Sequence, residues 1–432
     1  MPLTNPVAQS DSRFRLPRRT LPDTMPPMAR TPLAWANLTH DRVRFGLFVL
    51  GITFAVVLMF VQLGFRNALL DSNTQLHSKF NADLVLVSPN RQALAMREPF
   101  PRRRLFQAAS VPGVRSVHPL YLENALGTLR DTNPDLQHRL PNRGIRVIGL
   151  DPDAHLLKLP ELDPDDDRSQ IEKIRTPGTA LFDRNSKSEA TRGGLAQTSY
   201  GPLAPGTEAE LTGRDIELVG DFALGTDFTT DGTLIVSEQT FLELLRKPYT
   251  LGPATADIDI GLVRLEPGAD RDEVQRAIRE ALGDGDVDVF TVAELEDREK
   301  SFWLSNTPIG FAFGFGMFMG FAVGLVICYQ ILSGDVSDHL PEYATLKAMG
   351  HGNLYLAWVV LQESLILAVA GFVVGFFLSW GAYALLSAST GLPMTMTPMR
   401  VGSLFLATVL LCAASGMIAL IGLLKADPAD VF

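Results

Sequence analysis

The sequence predicts a membrane α-helical protein with four transmembrane helices and a large α+β periplasmic domain inserted between helices 1 and 2. Three observations predict it. Charged residues make up 20% of the 432 residues, yet they are nearly absent from four long stretches. Each stretch reaches the ~20 apolar residues needed to cross ~30 Å of hydrocarbon. The chain between the first and second stretch is polar, patterned like a soluble protein, and long enough to bury its own core.

Residues 1–32 are rich in Pro and Arg and poor in apolar residues, which predicts a disordered cytoplasmic arm. Residues 33–67 hold a short interfacial helix and the first span. Trp35 and Leu38 recur at helical spacing there, while His40, Asp41, Arg42 and Arg44 suit headgroups. The span itself covers 45–65 and is bracketed by Arg44 and Arg66. No charge occurs from Ser301 to Gly334, and the second span is placed at 308–332. The third covers 358–386 and the fourth 401–424, the latter bracketed by Arg400 and Lys425. All four tryptophans, Trp35, Trp303, Trp358 and Trp380, fall at or near span ends, where an indole has its ring in the interface and its N–H near water. Four uncharged helices of this length rarely coexist in a soluble fold. No secretory signal peptide is visible, because the first apolar run starts late and lacks a small-x-small cleavage site.

Orientation follows from the basic excess beside the spans. Seven Arg and no Lys precede the first span, so the N-terminal arm is expected in the cytoplasm. Residues 68–307 are then periplasmic, 333–357 form a cytoplasmic loop, 387–400 a short periplasmic loop, and 425–432 a cytoplasmic tail. The protein is expected in the plasma (inner) membrane.

The formal net charge is −10, concentrated in the 68–307 segment. An acidic soluble portion argues against nucleic acid as a partner. The only cysteines, Cys328 and Cys412, lie in apolar runs, so no disulfide framework holds the large domain. Within that domain, 82–88, 103–109 and 114–122 read as strand, helix and strand; 258–265, 271–282 and 287–292 repeat the pattern. The repetition suggests two α+β lobes packed together. Asp163, Asp165, Asp166 and Asp167 lack the alternating ligand spacing of a calcium loop and read as a solvated acidic turn. Arg102, Arg103 and Arg104 read as a solvated helix start.

The spans carry the mechanical signals. Gly316, Gly320 and Gly324 are spaced by four, as are Gly371 and Gly375. Small residues at that spacing let helix backbones approach closely, in a packing or dimer seam. Such a seam either slides in a transport cycle or packs statically. Glu363 is the one acid in the third apolar stretch; a mechanical or packing role suits it better than substrate or proton handling. The loop after the second span reads Asp338-His-Leu-Pro-Glu-Tyr-Ala-Thr-Leu-Lys-Ala-Met-Gly350. Pro341 suits a helix start, Glu342 its first turn and Gly350 its end. Tyr343, Leu346 and Met349 recur three apart and make an apolar face, with Lys347 beside it. Such a helix suits docking on a soluble partner; lying on the membrane surface is the alternative.

These segments carry a family resemblance. The Glu342–Gly350 run, the Gln362-Glu-Ser-Leu365 run with Gly371 and Gly375, and the closing Ala426-Asp-Pro-Ala-Asp-Val-Phe432 resemble the MacB/FtsX family of ABC permeases. Ala55–Arg66 and Ala82–Pro89 are most similar to the DevC branch known from cyanobacteria, although the N-terminal arm is long for that branch. The resemblance implies a homodimer whose 342–350 helix docks a separate or fused ABC ATPase subunit. It also implies a periplasmic adaptor leading to an outer-membrane channel, and glycolipid or another amphiphile as cargo. Some relatives resembling FtsX instead activate cell-wall hydrolases as scaffolds and move no substrate. There is no G-x-x-x-x-G-K-[ST], no H-E-x-x-H, no G-x-S-x-G and no C-x-x-C, and the seven histidines are scattered. The chain is therefore expected to be non-catalytic, with no cofactor or metal of its own.

Overall fold

The structure is a computed structural model that describes residues 42–124, 127–131, 143–186, 203–244, 257–283, 285–342, 345, 349, 352–390 and 392–425. The N-terminal arm, most of the expected interfacial helix and the C-terminal tail lie outside the described residues. The chain begins with helix α1 (Arg42–Thr74), long and apolar enough to cross a membrane. Strands β1 (Leu84–Val87) and β2 (Phe100–Pro101), helix α2 (Arg103–Ala109), and strands β3 (Val114–Glu123), β4 (Thr128–Asp131), β5 (Arg143–Gly144), β6 (Arg146–Leu150) and β7 (Thr179–Asp183) follow. Next come β8 (Thr207–Leu211), β9 (Arg214–Phe222), β10 (Thr233–Ser237), α3 (Glu238–Leu244), β11 (Asp257–Ile258), β12 (Ile260–Leu265), α4 (Arg271–Leu282) and β13 (Asp288–Thr291). Helix α5 (Val292–Ser305) then leads into three more apolar helices, α6 (Pro308–Asp338), α7 (Asn353–Thr390) and α8 (Pro398–Lys425).

The two strand–helix–strand units do not form separate lobes. Their strands interleave in the order β13-β1-β12-β3, and every neighbouring pair is antiparallel. This is the split βαβ arrangement, in which each unit supplies the strand that separates the other's two. Periodicity located both helices, but it carries no information on which strand pairs with which. The long β3 pairs with β12 through its first half and with β6 through its last residues. It thereby joins the split βαβ unit to a mixed half in which β10 runs parallel to β6 and β9 parallel to β7.

The sheet is buried on both faces, so β1 is an unbroken apolar run and every residue of β6, β7 and β10 is buried. Alternate residues divide between two cores. Leu84 and Leu86 face Leu105, Val274, Ile278 and Phe241 of the helical side, whereas Val85 and Val87 face Phe80, Leu157, Ile174 and Leu295. Helix α4 starts where Asp270 accepts hydrogen bonds from the amides of Asp272 and Glu273, and stops at Gly283, whose φ of 66° suits glycine. Helix α5 starts with a capping box between Thr291 and Glu294.

Each apolar helix outruns its apolar stretch. Helix α1 has 33 residues, about 50 Å at helical rise, against ~30 Å of hydrocarbon. Helix α7 has 38 residues. Polar ends continue the helices because backbone hydrogen bonding does not stop at the membrane surface.

Replacing Ile278, fully buried between α4 and the sheet, by Ala is expected to destabilise the domain by about 2–4 kcal/mol. Denaturant unfolding of the purified chain followed by circular dichroism checks it.

Candidate functional site: seams, foot and joint

In the bundle, α1 packs against α6 and α7, and α8 closes the ring by packing against the same two helices. Both glycine rows face α1. A Cβ at Gly320 would lie 2.7 Å from Leu58 and one at Gly316 2.7 Å from Gln62, while Gly324 faces Ala55 and Leu411. On α7, a Cβ at Gly371 would sit 2.5 Å from Ile52, and one at Gly375 2.6 Å from Val56. Helix α1 thus lies between two rows of missing side chains, and those rows are filled from within the chain. Thr53 Oγ1 donates to the Gly371 carbonyl at 3.2 Å, and Tyr383 Oη donates to the Phe60 carbonyl at 2.5 Å. These bonds satisfy polar groups in a region without water. Glu363 is fully buried in α7, next to Ser364, whose hydroxyl donates to the Val360 carbonyl and lies against Gly416 of α8. Cys328 and Cys412 are free and buried, with Sγ atoms 3.7 Å apart.

Ion pairs hold both ends of the bundle. Arg44 at the start of α1 pairs with Asp338 and lies 3.9 Å from Asp335, near the end of α6. Arg400 at the start of α8 donates to both carboxylate oxygens of Asp71 on α1, at 2.7 and 3.0 Å. Beyond α6, Thr345 Oγ1 donates to the Pro341 carbonyl at 2.8 Å and the Met349 amide to the Thr345 carbonyl at 3.0 Å, a helical pattern. Glu342 is exposed, and Met349 is 65% exposed. Tyr343, Leu346, Lys347 and Gly350 lie outside the described residues.

The sheet domain meets the bundle at a joint. Leu69 of α1 packs with Ala93, Phe302 and Trp303, and Phe65 stacks on Phe313 of α6 with ring centroids 6.1 Å apart. Between α5 and α6 the chain turns at Asn306 and Thr307. Thr307 Oγ1 donates to the Trp303 carbonyl at 2.7 Å and accepts from the Gly310 amide at 3.1 Å. A Cβ at Gly310 would lie 2.1 Å from that same Trp303 carbonyl, so the turn requires glycine there.

At the centre of the joint, Glu299 is 3% exposed. Its Oε2 accepts from the Leu94 amide at 2.7 Å, and its Oε1 accepts from Trp303 Nε1 at 2.7 Å. His77 Nε2, from the turn that follows α1, lies 3.7 Å from Glu299 Oε2. Burial raises the Glu299 pKa to about 7, against the opposing hydrogen bonds and the fields of Arg91 and Arg146. Burial, with the same two arginines, lowers the His77 pKa to about 3. Neither imidazole nitrogen makes a well-formed hydrogen bond; the nearby Asn73 carbonyl offsets only part of the penalty.

Two sequence expectations change here. Trp303 is not an interfacial anchor: it is 9% exposed and spends its N–H on Glu299, whereas Trp358 and Trp380 are exposed on the helix surface. Of the three consecutive arginines, only Arg103 is a solvated residue. Arg102 pairs with Glu238 at 2.7 Å and Arg104 with Asp286 at 2.6 Å, fastening α2 to its neighbours. The acidic turn is as expected a local one, in which Asp166 binds Arg168 at the surface. His77 and Glu299 are separated by 222 positions and share no motif, so no local signal points to them.

A four-span helical protein with a large mixed-sheet domain is the class these features define. Residues 45–281 match the MacB-like periplasmic core domain, more than half of the chain, and residues 314–428 match the FtsX-like permease C-terminal region. The chain belongs to the MacB-like and FtsX-like family of ABC transporter permeases, and so is a multi-pass protein of the inner membrane. Components of this kind are normally non-catalytic; the family works with an ATPase partner and, for MacB, with adaptor proteins. Among solved structures, the chain is similar to the periplasmic region of MacB from Actinobacillus actinomycetemcomitans, at 11% identity and a TM-score of 0.32, covering 51% of this chain and 94% of that one. It is also similar to the extracellular domain of the noncanonic ABC-type transporter YknZ from Gram-positive bacteria, at 14% identity and a TM-score of 0.32, covering 49% and 99%. No curated protein matches the chain.

Gly375→Leu is expected to force α7 away from α1 and to cost about 1–3 kcal/mol, whereas Gly381→Leu, with nothing within 4 Å of its Cβ, is expected to be tolerated. Thermal unfolding and size-exclusion profiles of the two variants in detergent check the contrast. Asp71→Asn removes the partner of a half-exposed Arg400 and is expected to cost at most about 1 kcal/mol by the same assay, with the loss shrinking in high salt.

Proposed function

We propose that this chain is the permease subunit of an efflux system, carrying ATP-driven movement from a cytoplasmic partner to a periplasmic domain. The observation that supports it most is α1. The helix is held along two glycine rows, tied to α6 by Arg44 at one end, and inserted into the joint with the sheet domain at the other. A displacement of the foot of α6 relative to α1 is transmitted along stiff helices to the elements that carry the sheet. The Arg-rich N-terminal arm supports a topology with both termini in the cytoplasm and residues 68–307 in the periplasm.

In this reading the segment 342–350 docks the ATPase, using the face of Tyr343, Leu346 and Met349. The permease works as a homodimer, and the sheet domain engages a periplasmic adaptor that leads to an outer-membrane channel. The glycine seams are the surfaces along which helices shift, and Glu363 holds α7 in register with its neighbours. The likeness to the DevC branch favours a glycolipid or related amphiphile as cargo.

Leu346→Asp is expected to abolish recruitment of the ATPase while leaving membrane insertion intact, read out by pull-down from solubilised membranes. Co-purification of the unsubstituted chain is expected to bring down both an ATPase and an adaptor. An ATPase with a cell-wall hydrolase in place of the adaptor would assign the chain to a force-transmitting scaffold instead. Normal ATPase capture by Leu346→Asp would defeat the docking assignment.

A further inference from the structure

The joint contains a titratable pair that the transport reading does not use. Three chain segments meet at it: the turn after α1 carrying His77, the loop after β1 carrying Arg91 and Leu94, and α5 carrying Arg298, Glu299 and Trp303. The cavity among them measures about 10 Å³, room for about one water. A charge placed there cannot be hydrated as it would be in bulk.

We propose that His77 and Glu299 form a proton-responsive clamp that fastens the sheet domain to the ends of both the first and the second apolar helix. With a proton on the carboxyl, both of its oxygens and its acidic hydrogen have partners. Oε1 accepts from Trp303 Nε1, Oε2 accepts from the Leu94 amide, and the acidic hydrogen points to His77 Nε2, which is 3.7 Å away and closes on it by a small side-chain rotation. The neutral imidazole gains the donor that it otherwise lacks. Loss of the proton leaves a buried carboxylate facing a neutral ring, and the clamp loosens.

The surrounding charges set the range. Arg91 is 4% exposed, but its Nη atoms are committed to the carbonyls of Asp259 and Leu94, at 2.9 and 3.2 Å. Arg298 donates to the Pro89 carbonyl at 2.7 Å and stacks on Phe290. Arg146 is paired with Asp227, and Lys300 with Glu296 and Asp297 on the surface of α5. These cations favour the carboxylate, yet none forms an ion pair with Glu299, so burial prevails and the carboxyl titrates near 7. A raised folded-state value means that the contribution of Glu299 to stability is fully present below its unfolded value of 4.5 and is lost as pH rises through about 7. The depressed His77 acts in the opposite sense and is lost only as pH falls from 6.5 towards 3. Near neutrality, therefore, rising pH loosens the clamp.

The test is hydrogen exchange of the full chain in lipid nanodiscs, from about pH 5.5 to 8.5, corrected for intrinsic exchange. Protection in peptides covering 75–97 and 292–305 is expected to fall by about twofold per pH unit between about pH 6.5 and 7.5, where the loss at Glu299 exceeds the opposing gain at His77, and to level off above that. Glu299→Gln, whose amide donates towards His77 but no longer accepts from the Leu94 amide, is expected to lower overall protection and to remove that pH dependence. Should Glu299→Gln fail to fold, infrared titration of the unsubstituted chain is expected to show a protonated carboxyl band disappearing as pH passes 7. Flat protection across the range, an unchanged slope in Glu299→Gln, or no carboxyl band titrating near neutrality would overturn the proposal. None of these outcomes depends on cargo or partners, so they are distinct from failure of the transport reading.

Discussion

The close approach of α1 to its two neighbours is the interaction on which the rest of the architecture depends. Inside a bilayer, apolar side chains gain nothing by leaving lipid for one another. Helices associate there through dispersion contacts and a few hydrogen bonds, and both require short separations. Missing side chains at Gly316, Gly320, Gly371 and Gly375 supply the separation, and the bonds of Thr53 and Tyr383 to backbone carbonyls use it. With α1 fixed on two sides, the position of its distal end is fixed too. The sheet domain is built outward from that end.

The joint follows a different physical rule from the seams. The seams are nearly without charge and are held by close packing and the two hydrogen bonds to backbone carbonyls. The joint is a buried polar network in which Glu299, Trp303, Leu94 and Arg91 each satisfy another, and which resists rearrangement because any movement orphans a group.

How much of this was legible in the sequence depends on the range of the interaction. Hydropathy placed the four spans, and periodicity placed 103–109 and 271–282 at the bounds the structure shows, because both signals are local. The caps at Asp270 and Thr291 emerge only in the structure, and helix α5 starts at Val292, where the sequence pattern reads as the end of a strand. Strand order was illegible: β1 is an apolar run equally able to pair with any neighbour, and its insertion between β12 and β13 is decided by packing over more than 170 positions. Trp303 was misplaced because its interfacial preference was assumed, when a buried acceptor four residues earlier on the same helix was available. The His77–Glu299 pair was invisible for the same reason as the strand order, since neither residue carries a local signature.

One consequence follows from the pairing of β1 with β13. Leu84 lies opposite Thr291, so the strand that enters the sheet domain and the strand that leaves it are hydrogen-bonded partners. The two ends of the whole 84–291 unit are thus separated by a single interstrand spacing, about 4.8 Å. A unit that begins and ends at one point can be acquired or shed in evolution by what is, to the bundle, the lengthening of a hairpin. The membrane helices need part no further to host a large head than to host a tight turn.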